Sequence, residues 1–459
     1  MSDETRILAT FVAKLSFDAI PPEVALRARH LALDLTGSIV RANAESESTP
    51  SLYATLDELG LGGPGAASVV GTGRRLAPPV AALVNGMLGH SLDFDDTHAD
   101  SSLHPSAPVV PAALAVGEMV GASGAEIVTA IVAGYEVCCR LGNALDPTSH
   151  YARGFHPTAT AGTFGAAAAA ARLFGLDAGG VASAFGVSGS QAAGSLQFLV
   201  NGAWNKRWQV GAAAMNGVFA ATLAKNGLKA ASAPIEGRHG LLVGYTDAAD
   251  PAKAVAGLGT VWETMKIGMK PYPSCRYTHA ALDGLLALRR EERLTAEDVR
   301  SVTVGLHRNG ITLTGDPLPE KRRVRTIVDG QFSMPFVASV ALDQGSFGWD
   351  DYRRIGDPAL DALSDRIDVV RDESLEGLAH PFGATLSVET ASGMFERRIP
   401  DPSGEPATFP DAAAIRAKFM ALAEPVLGRQ EAVRLADRFE VLDRLPAFGA
   451  MPPSSEAAA

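Results

Sequence analysis

Alanine is distributed unevenly along this chain: residues 1–260 hold 53, residues 261–400 hold 11 and residues 401–459 hold 14. Alanine is the best helix former, because fixing it in a helix costs no side-chain entropy. The two outer segments therefore predict one helical domain, 1–260 with 401–459, and the alanine-poor block 261–400 predicts a different domain inserted between them. The expected fold class is mainly α, with a large all-helical domain built from both chain ends and a smaller inserted α+β domain. At 459 residues, about three times the usual ~150 per domain, the chain has ample material for both cores.

Local patterns support the division. Pro21-Pro22 can open a helix, since proline fits a first turn whose N–H groups have no partner, and Val24, Ala28, Leu31, Leu35 and Ile39 follow at helical spacing. Ser123 and Glu126 form a capping-box pattern before IVTAIVAGYEVCCRLG, and AGTFGAAAAAARLFG, residues 161–175, predicts a further helix whose small side chains allow close packing. In the middle block, SVTVGLH at 301–307 alternates as a half-buried strand does, 384–399 reads as strand, turn at 391–393 and strand, and a helix is expected over 279–293. DPSGEP at 401–406 reads as the linker back, and the tail 451–459 is expected to be disordered.

Forty Lys+Arg against 51 Asp+Glu leave a formal net charge of −11, which argues against a nucleic-acid partner. Only Cys138, Cys139 and Cys275 occur, so neither a disulfide framework nor a cysteine-held zinc or iron–sulfur site is expected. The opening residues lack a signal-peptide pattern, and the best apolar stretches are interrupted by Pro111 and Glu118 or by Glu126 and Glu136. The expectation is a cytoplasmic protein with no membrane partner.

Chemistry concentrates in four places. HSLDFDDTHADSSLHPSAP, residues 90–108, sets His90, Asp93, Asp95, Asp96, His98, Asp100 and His104 in otherwise apolar surroundings. It reads as acid/base catalysis by His104 or a carboxylate with Thr97 donating a hydrogen bond, or as a divalent-metal site, or as a polar loop that merely caps the next helix. In GFHPTATAGTFGAA, Pro157 keeps His156 out of the helix it precedes, and the first turn of that helix suits a carboxylate. Lys206 and Arg207 lie between Trp204 and Trp208 in a chain with 9 lysines and 31 arginines. Together they suit a carboxylate or phosphate clamp, although packing on the tryptophans would account for them equally. At the junction of the blocks, KPYPSCRYTHAALDG carries Lys270, Tyr272, Arg276 and His279. The two cations suit a second carboxylate, and Tyr272 and His279 suit packing as well as chemistry. Asp95, Asp96 and Asp100 superficially match the aspartate-rich magnesium motif of terpenoid synthases, but the second ligand motif those enzymes require is missing. The basic run Lys321, Arg322, Arg323 and Arg325 reads as a solvated loop.

These segments, in this order, resemble the MmgE/PrpD family, together with PPEVALRARHLALDLTGSIV near the start and DGQFSMPFVASVAL at 329–342. The resemblance covers nearly the whole chain. It implies a large helical domain with a smaller α+β lid, a homodimer, no metal and no organic cofactor. It also implies a small substrate with two or three carboxylates, on which a proton or carboxyl group is removed or moved beside a carboxylate. By resemblance to the decarboxylase branch, Asp93, Thr97, His104, His156, Lys206 and Lys270 match active-site positions. Phe336 stands where that branch has a tyrosine, which disfavours decarboxylation of cis-aconitate. The leading expectation is a metal-independent dehydratase of a citrate-like hydroxy-tricarboxylate, of the 2-methylcitrate dehydratase type. In it His104 or His156 are base and acid, Asp93 orients an imidazole, and Lys206, Arg207, Lys270 and Arg276 hold carboxylates. An epimerase of a dicarboxylate, of the iminodisuccinate type, is the second expectation, then a decarboxylase, then a non-catalytic carboxylate-binding protein.

Overall fold

Helix α1 (Pro22–Glu45) starts at the second proline of Pro21-Pro22 and buries Val24, Ala28, Leu31, Leu35 and Ile39 on one face. The protein, seen in a computed structural model that describes residues 3–377 and 382–451, is mainly α-helical with few strands. No helix among the described residues is long and apolar enough to cross a membrane. The chain divides into two compact units, Met1–Met269 with Asp411–Ala459, and Lys270–Pro410.

The elements of the first unit that bear on the site are, besides α1, α2 (Pro78–Gly89), the two-residue strand β1 (Thr97–His98), α3 (Ser106–Val120), α4 (Gly124–Ala144), α5 (Pro157–Leu173) and α6 (Asn205–Lys225). The expected capping box opens α4: the Ser123 N–H donates to Glu126 Oε2 at 2.7 Å, and the Glu126 N–H donates to Ser123 Oγ at 3.3 Å. Helix α5 is surrounded by α3, α4 and α6, and alanines 166–171 are all fully buried. Small residues are what make that arrangement possible. A Cβ on Gly165 would lie 2.8 Å from the Gly134 carbonyl oxygen and 2.7 Å from Cys138 Cβ, so α4 and α5 pack backbone to backbone.

Charged residues inside this unit are used as stitching. Glu136 on α4 is fully buried, pairs with Arg140 at 3.1 Å and accepts from the backbone N–H groups of Glu263 and Thr264. Arg140 donates to the carbonyls of Ala256 and Val261. The segment fixed in this way runs into β2 (Ile267–Gly268), which pairs antiparallel with β1, and Arg27 on α1 donates to the Ile267 carbonyl at 2.9 Å. A remote buried ion pair thereby sets the position of residues 97–98.

The second unit has α7 (His279–Glu291), β3 (Val299–Leu306), α8 (Met334–Gln344), β4 (Ile367–Arg371), β5 (Ala384–Thr390) and β6 (Gly393–Ile399). The strands form one sheet in the order β4-β3-β5-β6, parallel between β3 and β4 and antiparallel elsewhere. The expected hairpin over 384–399 is β5 and β6, while the parallel partner β4 has no counterpart among the sequence expectations. Helix α7 lies against β5 and β6, where Gly284 lets it approach: a Cβ there would stand 2.5 Å from side-chain atoms of both Leu386 and Ile399. The chain returns to the first unit in α9 (Ala412–Leu427), which packs on α1. Met451, assigned from sequence to the disordered tail, is buried and donates its N–H to Ser68 Oγ at 3.2 Å; the rest of that tail, 452–459, lies outside the described residues.

Candidate active site

The apolar helix α2 is buried from Val80 to Gly89 and ends at His90, whose ring it delivers into the interior of the first unit. Residues 91–105, irregular apart from β1, then include two non-glycine residues in the left-handed region, Asp93 at φ 52° and Ser102 at φ 51°. Such conformations cost of order 1–2 kcal/mol each for an L-residue. At Asp93 the cost is offset by an ion pair: its Oδ1 accepts from Lys206 Nζ at 2.6 Å.

Two residues further on, Asp95 is completely buried between two imidazoles. Its Oδ2 lies 2.7 Å from His90 Nδ1 and 3.4 Å from His104 Nδ1. The two rings meet edge to face at a centroid distance of 4.7 Å, and His156 lies 6.0 Å from His90. Burial would push the Asp95 carboxyl up, but the adjacent His90 and His104 outweigh it and hold it well below the usual carboxylate range. Burial holds His90 down to about 4, against the opposing pull of Asp95. His90 is thus neutral at physiological pH, and its Nδ1–H donates a hydrogen bond to Asp95 Oδ2. Its Nε2 is buried without a hydrogen-bond partner among the described residues, as is Asp95 Oδ1.

His156 caps the N-terminus of α5, as Pro157 requires. Its backbone N–H donates to the Gly194 carbonyl, and its Nδ1 accepts from the Gln209 side-chain amide on α6 at 2.8 Å. With Nδ1 accepting, the neutral ring carries its proton on Nε2. Burial first, then the neighbouring His90 and Lys206, holds His156 well below its usual range. Lys206, in the first turn of α6, is raised: burial works against its charge, but Asp93 prevails. The protein thus brings together the Lys206 ammonium, the imidazoles of His90, His104 and His156, and the carboxylates of Asp93 and Asp95 from α2, its following loop, α5 and α6.

Of the residues expected from sequence, Asp93, His104, His156 and Lys206 come together here. Thr97 lies on β1, opposite Gly268. Arg207 Nη1 donates to Ser46 Oγ at 3.3 Å, beyond the end of α1, and Trp204 and Trp208 are 40% and 45% exposed. The orienting role expected of Asp93 falls to Asp95: Asp93 binds the lysine, and Asp95 contacts the imidazoles. His98 and Asp96 are structural. His98 bonds Ser101 Oγ and Glu263 Oε2, at 2.7 and 3.0 Å. Asp96, which burial and then Asp95 push well up, accepts from both the N–H and the hydroxyl of Ser106 at the start of α3.

Lys270, Tyr272, Arg276, His279 and Phe336 belong to the second unit. Arg276, expected to hold a substrate carboxylate, holds a protein one: its Nε and Nη2 donate to Glu405 Oε1 at 2.9 and 2.5 Å, and its Nη1 donates to His279 Nδ1. Tyr272 donates to Asp283 Oδ1 at 2.7 Å and packs edge-on against His279. Phe336 is buried and stacks on Tyr352, with ring centroids 5.9 Å apart. Lys270 is buried at the first position of the unit.

Among the described residues, two groups of side chains have ligand atoms close enough together for a metal ion, His90–Asp95–His104 and His98–Asp100–Glu263. The second already has a cation, because Lys266 Nζ lies 3.1 Å from Glu263 and 3.6 Å from Asp100. In the first, His90 Nδ1 and Asp95 Oδ2 are 2.7 Å apart, a hydrogen-bond length.

Comparison with known proteins gives the same family along both units. A model of the MmgE/PrpD N-terminal domain matches residues 6–254, and one of the MmgE/PrpD C-terminal domain matches residues 272–444. A cis-aconitate decarboxylase-like protein, oryM, of Aspergillus oryzae is 28% identical over 458 residues, covering 94% of this chain and 92% of its own. Cis-aconitate decarboxylase of Aspergillus terreus is 30% identical over 358 residues, 74% of this chain and 72% of its own. The human protein of that name is 30% identical over 222 residues, 47% of this chain and 45% of its own.

Proposed function

The chain belongs to the MmgE/PrpD family, and from that premise we propose that it is a lyase that dehydrates a citrate-like hydroxy-tricarboxylate by acid/base chemistry beside a carboxylate. The observation that carries this reading is the opposite orientation of two imidazoles. His104 sets Nδ1 3.4 Å from the Asp95 carboxylate, an ionic contact rather than a hydrogen bond, and in this reading a proton held there leaves Nε2 as the basic nitrogen, whereas the Gln209 amide donates to His156 Nδ1 and leaves the proton on Nε2. Elimination of water needs one group of each kind.

In this reading Lys206 takes a substrate carboxylate, for which Asp93 keeps it charged and in place. His104 Nε2 removes the proton from the carbon next to that carboxylate, and the charge that develops on the carboxylate is stabilised by Lys206. As His104 becomes an imidazolium, the ion Asp95 stands 3.4 Å away. The C–O bond on the neighbouring carbon breaks, His156 Nε2–H donates to the departing hydroxyl, and the proton collected by His104 completes the water. The products are one unsaturated acid and one water. Acid/base assistance of this kind contributes about 10²- to 10⁴-fold.

A second reading, decarboxylation of cis-aconitate, is favoured by the names of the relatives. It needs a proton donor but no base. Incubation of the protein with 2-methylcitrate and, separately, with cis-aconitate discriminates the two. Growth of ultraviolet absorbance from a new conjugated double bond with 2-methylcitrate supports dehydration. Release of carbon dioxide from cis-aconitate with inert 2-methylcitrate replaces it by the second reading, and turnover of neither refutes both for these substrates.

A further inference from the structure

Behind the loop that carries Asp93 and Asp95 lies a lysine that the acid/base scheme does not use. Lys418 is on α9, near the C-terminal end of the chain, and its side chain is 8% exposed. Its Nζ makes an ion pair of 2.6 Å with Asp34 on α1, whose side chain is 1% exposed. The same Nζ donates to the Phe94 carbonyl at 2.8 Å, and it lies 3.8 Å from the centroid of the Phe94 ring.

We propose that Lys418 is a positioning residue for the imidazole cluster, holding from 324 residues away the peptide that joins Asp93 to Asp95. This inference rests on the acid/base reading of that cluster. Burying a Lys–Asp pair is a poor way to pack two helices, since desolvating each ion costs several kcal/mol and well-packed apolar residues often do as well or better. An apolar pair, however, has no donor for the Phe94 carbonyl. That carbonyl belongs to the residue between the aspartate that binds Lys206 and the aspartate that sits between His90 and His104. Phe94 is thus held by both its carbonyl and its ring, and with the left-handed Asp93 beside it the two carboxylates face different partners.

Removing Lys418 alone would strand the buried Asp34, so the test uses the charge-neutral double variant Asp34→Asn/Lys418→Met, which releases the Phe94 carbonyl without orphaning an ion. Two readouts are taken on the full chain: kinetics with 2-methylcitrate and cis-aconitate, and ring cross-peaks of ¹³C-labelled histidine. The expected result is a loss of about 10- to 100-fold in kcat, the scale of a misplacement on the order of 1 Å, with KM changed by less than about threefold. The His90 and His104 cross-peaks move while that of the exposed His239 stays. A folded double variant with wild-type kcat and superimposable His90 and His104 cross-peaks overturns the proposal, as does a lowered melting temperature unaccompanied by either change. If the wild-type protein turns over neither compound, the functional reading fails and the cross-peaks alone decide the positioning.

Discussion

Asp95→Asn isolates the electrostatics of the cluster from its shape. The side chain is isosteric, and the asparagine Oδ1 can still accept the His90 Nδ1 proton at the 2.7 Å separation seen here. What the substitution removes is the negative charge 3.4 Å from His104 Nδ1. At that distance and an effective dielectric of ~20, a carboxylate and an imidazolium attract by about 5 kcal/mol. That attraction exists only once His104 has taken the proton, so it lowers the barrier and not the energy of bound substrate. With a factor of ten per ~1.4 kcal/mol, losing half of it slows turnover by roughly 60-fold, and losing all of it by roughly 4,000-fold. The assay is steady-state kinetics with 2-methylcitrate, with cis-aconitate in parallel, and a thermal melt to verify folding. KM should change little, because Lys206 and Asp93 remain. A folded Asp95→Asn protein within about threefold of the wild-type kcat would refute the assignment of His104 as the base backed by Asp95.

Two further predictions concern how the fold holds this site. Glu263 is buried, which alone would push its carboxyl up, yet the hydrogen bond and charge of His98, reinforced by Lys266, hold it down to about 2 from 4.5. A depressed carboxyl stabilises the fold fully above its unfolded value and loses that contribution as pH falls through the folded one. Between pH 4.5 and about 2 the wild-type protein should therefore lose about 3 kcal/mol that Glu263→Gln never has. Urea midpoints of the two proteins should differ at neutral pH and converge on acidification, and parallel curves would contradict this. Gly165→Ala gains about 1 kcal/mol in helix propensity but forces a Cβ within 2.8 Å of the Gly134 carbonyl. A net loss of about 1–2 kcal/mol, read from urea unfolding, is expected, and a stabilised variant would show that α4 and α5 can separate freely.

The elements legible in the sequence were those specified by neighbours along the chain. Pro22 starts α1, Ser123 and Glu126 cap α4 in both directions, and Pro157 confines His156 to the residue before α5. Each of these depends on residues within four positions. Strand β4 was not legible, because it is parallel to β3 and its burial pattern does not alternate: Ile367 is buried, while Asp368, Val370 and Arg371 are exposed. Its place comes from pairing with a strand 60-odd residues earlier, to which no local signal points.

In the site, residue types were legible and pairings were not. The density of His and Asp at 90–104 and the rarity of lysine point to segments that the fold brings together around His90 and Asp93. Yet Gln209, Asp34 and Lys418 have no local signal, because each acts on a residue far away in sequence. Arg276 shows the opposite failure: a cation beside a histidine in a proline-rich turn looks available until Glu405, 129 residues later, is seen to neutralise it. The confusion of Asp93 with Asp95 has a more specific cause. In regular extended backbone, residues two apart face the same way, and either carboxylate would then serve either partner. At φ 52°, Asp93 breaks that repeat, so one carboxylate meets Lys206 while the other enters the space between His90 and His104. The two carboxylates part at that left-handed residue, and the buried Lys418 donates to the carbonyl of the residue next to it.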